Sequence, residues 1–282
     1  MNSKIDGRAA SREVLPPVLV AAHEKARGIL HNPDNVIQES AFESVYGIEQ
    51  VRRDVAEAAR LEKKFAERDT PFDKVTHKIA QVLEAIILEQ AKLSEWLGTA
   101  HVLKTARFDD FTNKTDMIAE WYSPEDGSRV LALAIDVTFG GTAVAGKMRA
   151  IKDEVDRDVL GSLRYFKDVR GDFMGTRNNV PRVVIGLSQE ALQELAAVWV
   201  KNDKKALGGH PIQRLIIEEI IGQIQTIHTY AVKNNRTSAA QAYAQAHAAV
   251  RPLVVQKRGV SLGELAGDPV AQAIARNINT LF

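Results

Sequence analysis

Two aspartates stand at the two ends of a segment whose pattern is typical of a β-hairpin. Asp116 opens a run rich in apolar and aromatic residues, and Asp136 ends a second apolar run beyond a stretch of turn-forming residues. A turn centred at Asp126 places the two aspartates opposite each other on one face, with Cβ atoms about 4.5–5.5 Å apart. A bulge in the turn would shift this pairing by one residue. Because two carboxylates that close ionise together only around a cation, the hairpin predicts a divalent-metal site.

The composition of the chain limits the classes of protein and of functional site that it can form. The 282 residues are 45% apolar and 26% charged, which is typical of a globular protein with one large core or two smaller ones. The net charge of +1 gives no overall attraction to nucleic acid or to a membrane, so such binding must come from a local patch. The chain has no cysteine, which excludes disulfides, thiolate metal sites and cysteine nucleophiles. No apolar run approaches the ~20 residues of a membrane span, and we expect a cytoplasmic protein without membrane association.

Three regions follow one another along the chain. Residues 1–72 are predicted to form a helical N-terminal extension, residues 73–200 alternate helix and strand, and residues 201–282 are helical again. In the middle region Ser188 is the expected N-cap of its last helix. The predicted elements of that region are a helix from about Phe72 to Leu97, a short strand beginning at Val102, the hairpin, a glycine-rich loop and helix over 140–158, a buried strand over 181–188 and a helix over 189–200.

This order of helix, three strands, helix and strand, with an aspartate at the start of the hairpin and Asp136-Val-Thr138 at its end, resembles the PD-(D/E)xK nuclease superfamily. The resemblance covers roughly residues 75–198, and the acidic lead-in from Arg107 to Asp116 adds to it. It implies an α/β protein with a mixed sheet, a restriction-endonuclease-like αβββαβ core and helical extensions on both sides. Two residues depart from the pattern: Thr115 stands where a proline is usual, and Thr138 stands in the place of the lysine.

The resemblance implies Mg²⁺- or Mn²⁺-dependent hydrolysis of phosphodiester bonds. Asp116, Asp136 and the backbone carbonyl of Val137 would hold the metal, which polarises the phosphate and activates a water molecule. Lys147, at the start of the next helix, is the best substitute for the missing lysine. By strand alternation Thr138 shares a face with Asp136, where it could bind a water molecule or a phosphate.

The helix before the hairpin offers a further carboxylate. Its apolar residues form one stripe, with a step of about 100° per residue. Glu84 lies nearly opposite this stripe, and we expect it to be solvated. Glu89 lies about 60° from the centre of the stripe, at the edge of the buried face. Glu89 is therefore the better candidate for a third catalytic carboxylate, with a surface glutamate as the alternative.

Basic residues follow the hairpin and could hold a phosphate backbone. Some lie in the stretch 168–179, whose two glycines and two asparagines predict a loop. Basic residues near a metal site favour nucleic acid as the partner, with DNA favoured over RNA, and the alternative is a solvated basic loop. The helical extensions are candidates for a homodimer contact. The predicted nucleic-acid-binding residues are Lys152, Arg164, Lys167, Arg170 and Arg177.

Two alternative functions remain open from the sequence. The stretch from Gly141 through Gly146 and Lys147 to Met148 matches a phosphate-binding P-loop at every place but the last, where Met148 cannot bind Mg²⁺. This motif would make the chain an atypical nucleotide-binding protein. The missing lysine at Thr138 favours a different alternative, a catalytically degenerate nuclease fold that binds nucleic acid or protein without cutting.

Overall fold

The chain folds as a mixed α/β protein. The structure, a computed structural model, describes residues 15–123, 127–136 and 141–282, and for residues 123, 127–136 and 141–143 the description extends to the backbone only. Two short 3₁₀ turns, Pro33–Asn35 and Glu39–Phe42, follow the first helix. The N-terminal helices are α1 Pro17–Leu30, α2 Glu43–Tyr46, α3 Ile48–Ala66 and α4 Pro71–Leu93.

A four-stranded mixed sheet occupies the centre of the fold. Its order is β1-β2-β3-β6, with antiparallel pairing between the first three strands and parallel pairing between β3 and β6. A short helix, α5 Arg107–Asn113, precedes β2, while α6 Gly141–Asp156 and a separate hairpin of β4 and β5 lie between β3 and β6. The strands are β1 His101–Lys104, β2 Met117–Ser123, β3 Gly127–Asp136, β4 Gly161–Lys167, β5 Met174–Val180 and β6 Arg182–Gly186.

The C-terminal part of the chain is helical. A 3₁₀ turn, Gly263–Gly267, precedes its last helix. The helices after the sheet are α7 Gln189–Val200, α8 Lys204–Gly208, α9 Ile212–Lys233, α10 Thr237–Gln256 and α11 Pro269–Leu281.

Local signals explain where the helices around the sheet begin. Thr70 and Asp73 form a reciprocal capping box at the start of α4, in which each side chain accepts from the other residue's backbone N–H. Ser188 accepts from Ala191 N–H at the start of α7, as predicted. Asp268 accepts from the first N–H groups of α11 in the same way. These caps satisfy amide groups that a helix start leaves without internal partners.

One apolar core joins the helical extensions to the sheet. Residues of α1, such as Leu19 and Ala22, belong to the same cluster as strand residue Val183 and as Ile220 of α9. A second, smaller cluster lies under the β4–β5 hairpin, where Tyr165 is fully buried. The extensions therefore cover the sheet and complete its core.

Helix α9 covers the edge strand of the sheet through side chains. Gln223 accepts from Val184 N–H at 2.8 Å and donates to Val184 O at 2.7 Å, so its amide acts as a further strand partner. Glu219 accepts from Gly186 N–H at 3.2 Å. The edge of β6 is thus satisfied by groups outside the middle region of the chain.

The predicted hairpin is confirmed, but its predicted register is wrong. Met117 pairs with Leu133, two residues earlier in β3 than a turn centred at Asp126 requires. A shift of two residues keeps the alternation of faces, so the apolar pattern does not distinguish between the two registers. Asp136 ends β3 and pairs with Gly186 of β6, while Asp116 lies just before β2. The two aspartates lie at the same end of the β2–β3 pair without being direct partners.

Another prediction is corrected within the stretch 168–179. Its second half forms β5 from Met174 onward, paired with β4 through an irregular register. Asn179 takes a positive φ of 55°, and Gly175 has a φ of 155°. Gly175 and Asn179 therefore occupy irregular positions within a strand pair, while Gly171 lies in the turn between β4 and β5.

Candidate active site

Four charged side chains gather where β1 ends and β2 begins. Lys104 Nζ lies 2.9 Å from Glu84 Oε2 and 3.2 Å from Asp110 Oδ2. Asp116 is close enough for its charge to act on both Lys104 and Asp110. We call these four residues the Lys104 cluster.

Each member of the Lys104 cluster comes from a different element around the end of the sheet. Glu84 lies on α4 and Lys104 is the last residue of β1, while Asp110 lies on α5. Thr105 fixes the approach of the chain to β2, because its backbone N–H donates to Asp116 O at 3.1 Å. The three carboxylates therefore meet at one lysine because the β1–β2 connection folds back against α4.

Burial and mutual repulsion dominate the electrostatics of this cluster. Burial raises the pKa of Asp110 to about 7, and the charges of Asp116 and Glu84 add to the rise while Lys104 opposes it. Burial alone would lower the pKa of Lys104, but the three carboxylates outweigh it, and its pKa lies above its usual value. The lysine therefore stays charged, and the cluster carries more negative than positive charge.

The prediction that Glu84 is solvated is wrong. Glu84 is 6% exposed, within a stretch of α4 from Val82 to Leu88 that is buried throughout. The helix is covered by the sheet on one side and by α1 and α7 on others. The helical wheel, read as one apolar stripe, does not predict the burial of Glu84. A continuous apolar run with one glutamate in it indicates a helix that is buried on all sides.

Glu89, the carboxylate predicted for the site, has partners elsewhere. Its Oε2 accepts from Trp199 Nε1 at 2.6 Å and lies 3.8 Å from Lys25 Nζ. Lys25 also lies 4.2 Å from the centre of the Trp199 ring. Glu89 therefore ties α4 to α1 and α7, and the glutamate that α4 contributes to the cluster is Glu84.

Part of the predicted metal site lies outside the described residues. Val137 and Thr138 belong to the undescribed stretch 137–140, and Asp136 is described by its backbone alone. Among the side chains that are described, no three His, Asp or Glu are arranged to hold a metal ion. The roles of Asp136, Val137 and Thr138 stay predictions.

Lys147 lines a small cationic pocket. A cavity of about 140 Å³ is bordered by Lys114, Lys147 and Arg182, together with Gly146, Ala150 and Ile151. Arg182 is held there by Glu154 and by the carbonyls of Asn113 and Lys114. Lys114 stands two residues before Asp116 and takes a left-handed conformation, with a φ of 53°. The pocket thus gathers positive charge beside the approach to β2.

The helical conformation of residues 141–148 counts against the P-loop alternative. Residues from Gly141 onward form α6, which includes Gly146, Lys147 and Met148, and Met148 is fully buried. In a helix the backbone N–H groups bond to carbonyls of the preceding turn, so all but those of the first turn are unavailable to cradle a phosphate. Of the two glycines in the motif, Gly141 is the first residue of α6 and Gly146 lies within this helix.

Two of the predicted nucleic-acid-binding residues have internal partners. Lys152 lies 2.6 Å from Asp156 and donates to the Tyr230 hydroxyl at 2.7 Å, which ties α6 to α9. Arg164 lies 2.7 Å from Asp54, and its guanidinium lies 4.9 Å from the centre of the Tyr46 ring. Both contacts support packing between elements.

The other three predicted residues lie on the β4–β5 hairpin. Lys167 and Arg170 are exposed, and Arg170 lies over the ring of Tyr122 at 4.9 Å and 3.4 Å from Asp172. Arg177 is half-buried within β5. This hairpin presents the exposed part of the predicted basic surface.

No protein-family model, no curated protein and no solved structure matches the chain. None of the described helices combines the length and the apolar character needed to cross a bilayer. The chemistry of the site therefore has to be argued from its own residues.

Proposed function

We propose that the protein is a divalent-metal-dependent nuclease that hydrolyses phosphodiester bonds, with DNA as the favoured substrate. The described elements follow the order α4, β1, β2, β3, α6, β6, with inserts at α5 and at the β4–β5 hairpin. That order and the mixed sheet are consistent with a restriction-endonuclease-like αβββαβ core. Asp116 lies just before β2 and Asp136 is the last residue of β3, and the resemblance implies metal ligands at these two positions.

The observation that carries the proposal is the excess of carboxylates in the Lys104 cluster. Glu84, Asp110 and Asp116 share one lysine, and burial and mutual repulsion leave the pKa of Asp110 at about 7. A divalent cation relieves such repulsion, and carboxylate oxygens are the ligands that Mg²⁺ prefers. We propose Mg²⁺ or Mn²⁺ as the metal, with Asp116 and Asp136 as its ligands. When bound, the metal would polarise the phosphate and lower the pKa of a water molecule.

Two lysines are candidates to replace the lysine missing at Thr138. The charge of Asp116 acts on Lys104, but Glu84 and Asp110 hold the ammonium group of this lysine. Lys147 shares its pocket with Lys114 and Arg182, a combination that suits a phosphate group. We propose that Lys104 keeps the acidic cluster in place and that Lys147 binds a phosphate of the substrate.

The test is cleavage of linear duplex, branched and single-stranded substrates by the full chain in Mg²⁺ or Mn²⁺. Asp116→Asn keeps the size of the side chain but removes a charged ligand, so we expect cleavage to fall by orders of magnitude while binding persists. Glu84→Gln should also lower cleavage, whereas Glu89→Gln, on the same helix, should leave it near the level of the unmodified protein. Asp34→Asn, at an exposed residue, controls for loss of one negative charge. Equal loss from Glu84→Gln and Glu89→Gln, measured on folded variants, would contradict the assignment.

The degenerate binding module remains the second candidate function. It is favoured by Thr138 in the lysine position and by the capture of Lys104 between two carboxylates. An unmodified protein that cuts no substrate with either metal, yet retains nucleic acid in a salt-dependent manner, would support this candidate. Charge reversal of Lys167 and Arg170 should then weaken retention, and reversal of the exposed Lys63 on α3 should not.

A further inference from the structure

A second cavity lies far along the chain from the Lys104 cluster, between α9 and α11. Its volume is about 290 Å³, and its walls are largely apolar, with Leu215, Ile274 and Ile278 among them. A water molecule occupies about 30 Å³ of liquid, so the cavity has room for a compact ligand of roughly ten non-hydrogen atoms. Cavities of this kind, apolar with a few polar groups, are the usual form of small-molecule sites.

Gly222 is a small residue in the wall of this cavity. It lies in the interior of α9, where glycine is destabilising relative to alanine. A Cβ built on Gly222 would meet no atom within 4 Å, so packing does not require a glycine here. The small residues Ala271 and Ala275 face the same space from α11. What the glycine adds is volume within the cavity.

Glu219 is a buried carboxylate among the polar residues of the wall, which also include Gln223, Thr226 and Gln272. It is 7% exposed and lines the cavity. Its Oε2 accepts from Gly186 N–H, while its Oε1 is buried without a hydrogen-bond partner. Burial raises the pKa of Glu219 well above its usual value, and the charge of Asp268 adds to the rise although the bond from Gly186 opposes it. A buried oxygen without a hydrogen-bond partner lowers the stability of the protein unless a ligand or a water molecule donates a hydrogen bond to it.

The charges around the cavity have one sign. Among the described lining residues the charged ones are Glu218 and Glu219, and Asp268 lies near enough to act on Glu219. Arg214, the cation one turn before them on α9, is paired with Glu218 at 2.8 Å. The cavity therefore favours a positively charged guest over a neutral or negative one.

We propose that this cavity binds a small organic amine whose apolar body fills the space beside Gly222 and whose ammonium group donates to Glu219. Glu219 enters the complex as a carboxylate, so its proton passes to the solvent when the ligand binds. The bond from Glu219 to Gly186 connects the site to β6, and Gly186 pairs with Asp136 at the end of β3. Binding at this cavity does not require nuclease activity.

The test uses three ligands of one shape: benzylamine, benzyl alcohol and benzoate. Titration calorimetry of the full chain in buffers of different ionisation enthalpy should show benzylamine binding best, with release of about one proton. At pH values below the pKa of Glu219, the affinity for benzylamine should increase by up to roughly tenfold for each unit that the pH is raised. The affinity for benzyl alcohol should not change in this way. Benzyl alcohol binding as tightly as benzylamine, absence of proton release, or no benzylamine binding at millimolar concentration would each overturn the proposal.

Two variants locate the binding. Gly222→Leu places a side chain in the cavity and should abolish benzylamine binding, with the fold checked by circular dichroism. Gly28→Leu is the matched control, because Gly28 is also a helical glycine whose added Cβ would meet no atom within 4 Å. Glu219→Gln can still accept from Gly186 N–H but cannot ionise, so it should lose benzylamine and keep the weak binding of benzyl alcohol. Unchanged benzylamine binding in a folded Gly222→Leu protein would place the ligand elsewhere and refute the site.

Discussion

At the scale of single residues, burial decides which carboxylates act together. The hairpin pattern correctly places Asp116 at the start of a strand, because turn residues and apolar runs are local signals. Glu84 and Asp110 are missed because they meet Lys104 only when three separate elements pack together. Their meeting depends on how α4, β1 and α5 pack, and no single segment of sequence contains that information.

The first prediction concerns Lys104, whose side chain is 18% exposed. Lys104→Met should destabilise the protein by about 3–5 kcal/mol, because it leaves buried carboxylates without their cation. The raised pKa of Asp110 also makes the stability of the folded protein depend on pH. A carboxyl whose pKa is higher in the folded than in the unfolded state stabilises the protein most at low pH, and this stabilisation is lost as the pH rises through about 7. Because Lys104 opposes the rise in the pKa of Asp110, Lys104→Met should raise that pKa further, and the variant should keep losing stability above pH 7, where the unmodified protein does so less. The cost of Lys104→Met should therefore be larger at pH 8 than at pH 6, measured by urea unfolding.

A double-mutant cycle checks this prediction. Adding Glu84→Gln to Lys104→Met should recover part of the loss, because one unpaired charge is removed. Lys63→Met is the control, since Lys63 and Glu67 form an exposed pair whose side chains are 79% and 64% accessible, and such pairs contribute little. Additive effects of the two substitutions at Lys104 and Glu84 would show that the pair does not interact.

At the scale of elements, the sequence predicts helices and strands better than it predicts the use of glycine. The helix over 189–200 has the predicted start, because its Ser188 cap is a local signal. The hairpin register is off by two residues, since alternation alone cannot detect an even shift. The spacing of Gly141 and Gly146 resembles a phosphate loop, yet both lie in α6.

The second prediction uses two glycines in contrasting settings. Gly146 lies within α6, and a Cβ there would meet no atom within 4 Å, so Gly146→Ala should stabilise the protein by about 0.5–1 kcal/mol. Gly98 has a φ of 61°, and an added Cβ would lie 2.4 Å from Leu253 Cδ2, so Gly98→Ala should be destabilising. Thermal unfolding of both variants measures the two signs. A loss of stability in Gly146→Ala would mean that this stretch is not a plain helix.

At the scale of the whole molecule, the three sequence regions are parts of one core. The pattern locates helices before and after the sheet, but it does not show that α9 supplies hydrogen bonds to β6. Those bonds join residues far apart in sequence, and glutamine in an apolar helix carries no signal of its own. Gln223 is 1% exposed and binds both backbone groups of Val184. The middle region is therefore incomplete as a folding unit.

The last prediction is that residues 73–200 do not fold alone. The fragment lacks Gln223 and Glu219, which leaves Val184 and Gly186 without side-chain partners, and it exposes the apolar surface that α1 and α9 cover. Gln223→Leu in the full chain isolates the hydrogen bonds, because it keeps a side chain of similar size while removing both bonds to Val184. At about 1–3 kcal/mol for each buried group left unsatisfied, this variant should lose roughly 2–6 kcal/mol, measured by urea unfolding. Gln225→Leu, at an exposed position of the same helix, should change stability little. A fragment 73–200 with a cooperative unfolding transition would show that the sheet needs neither extension.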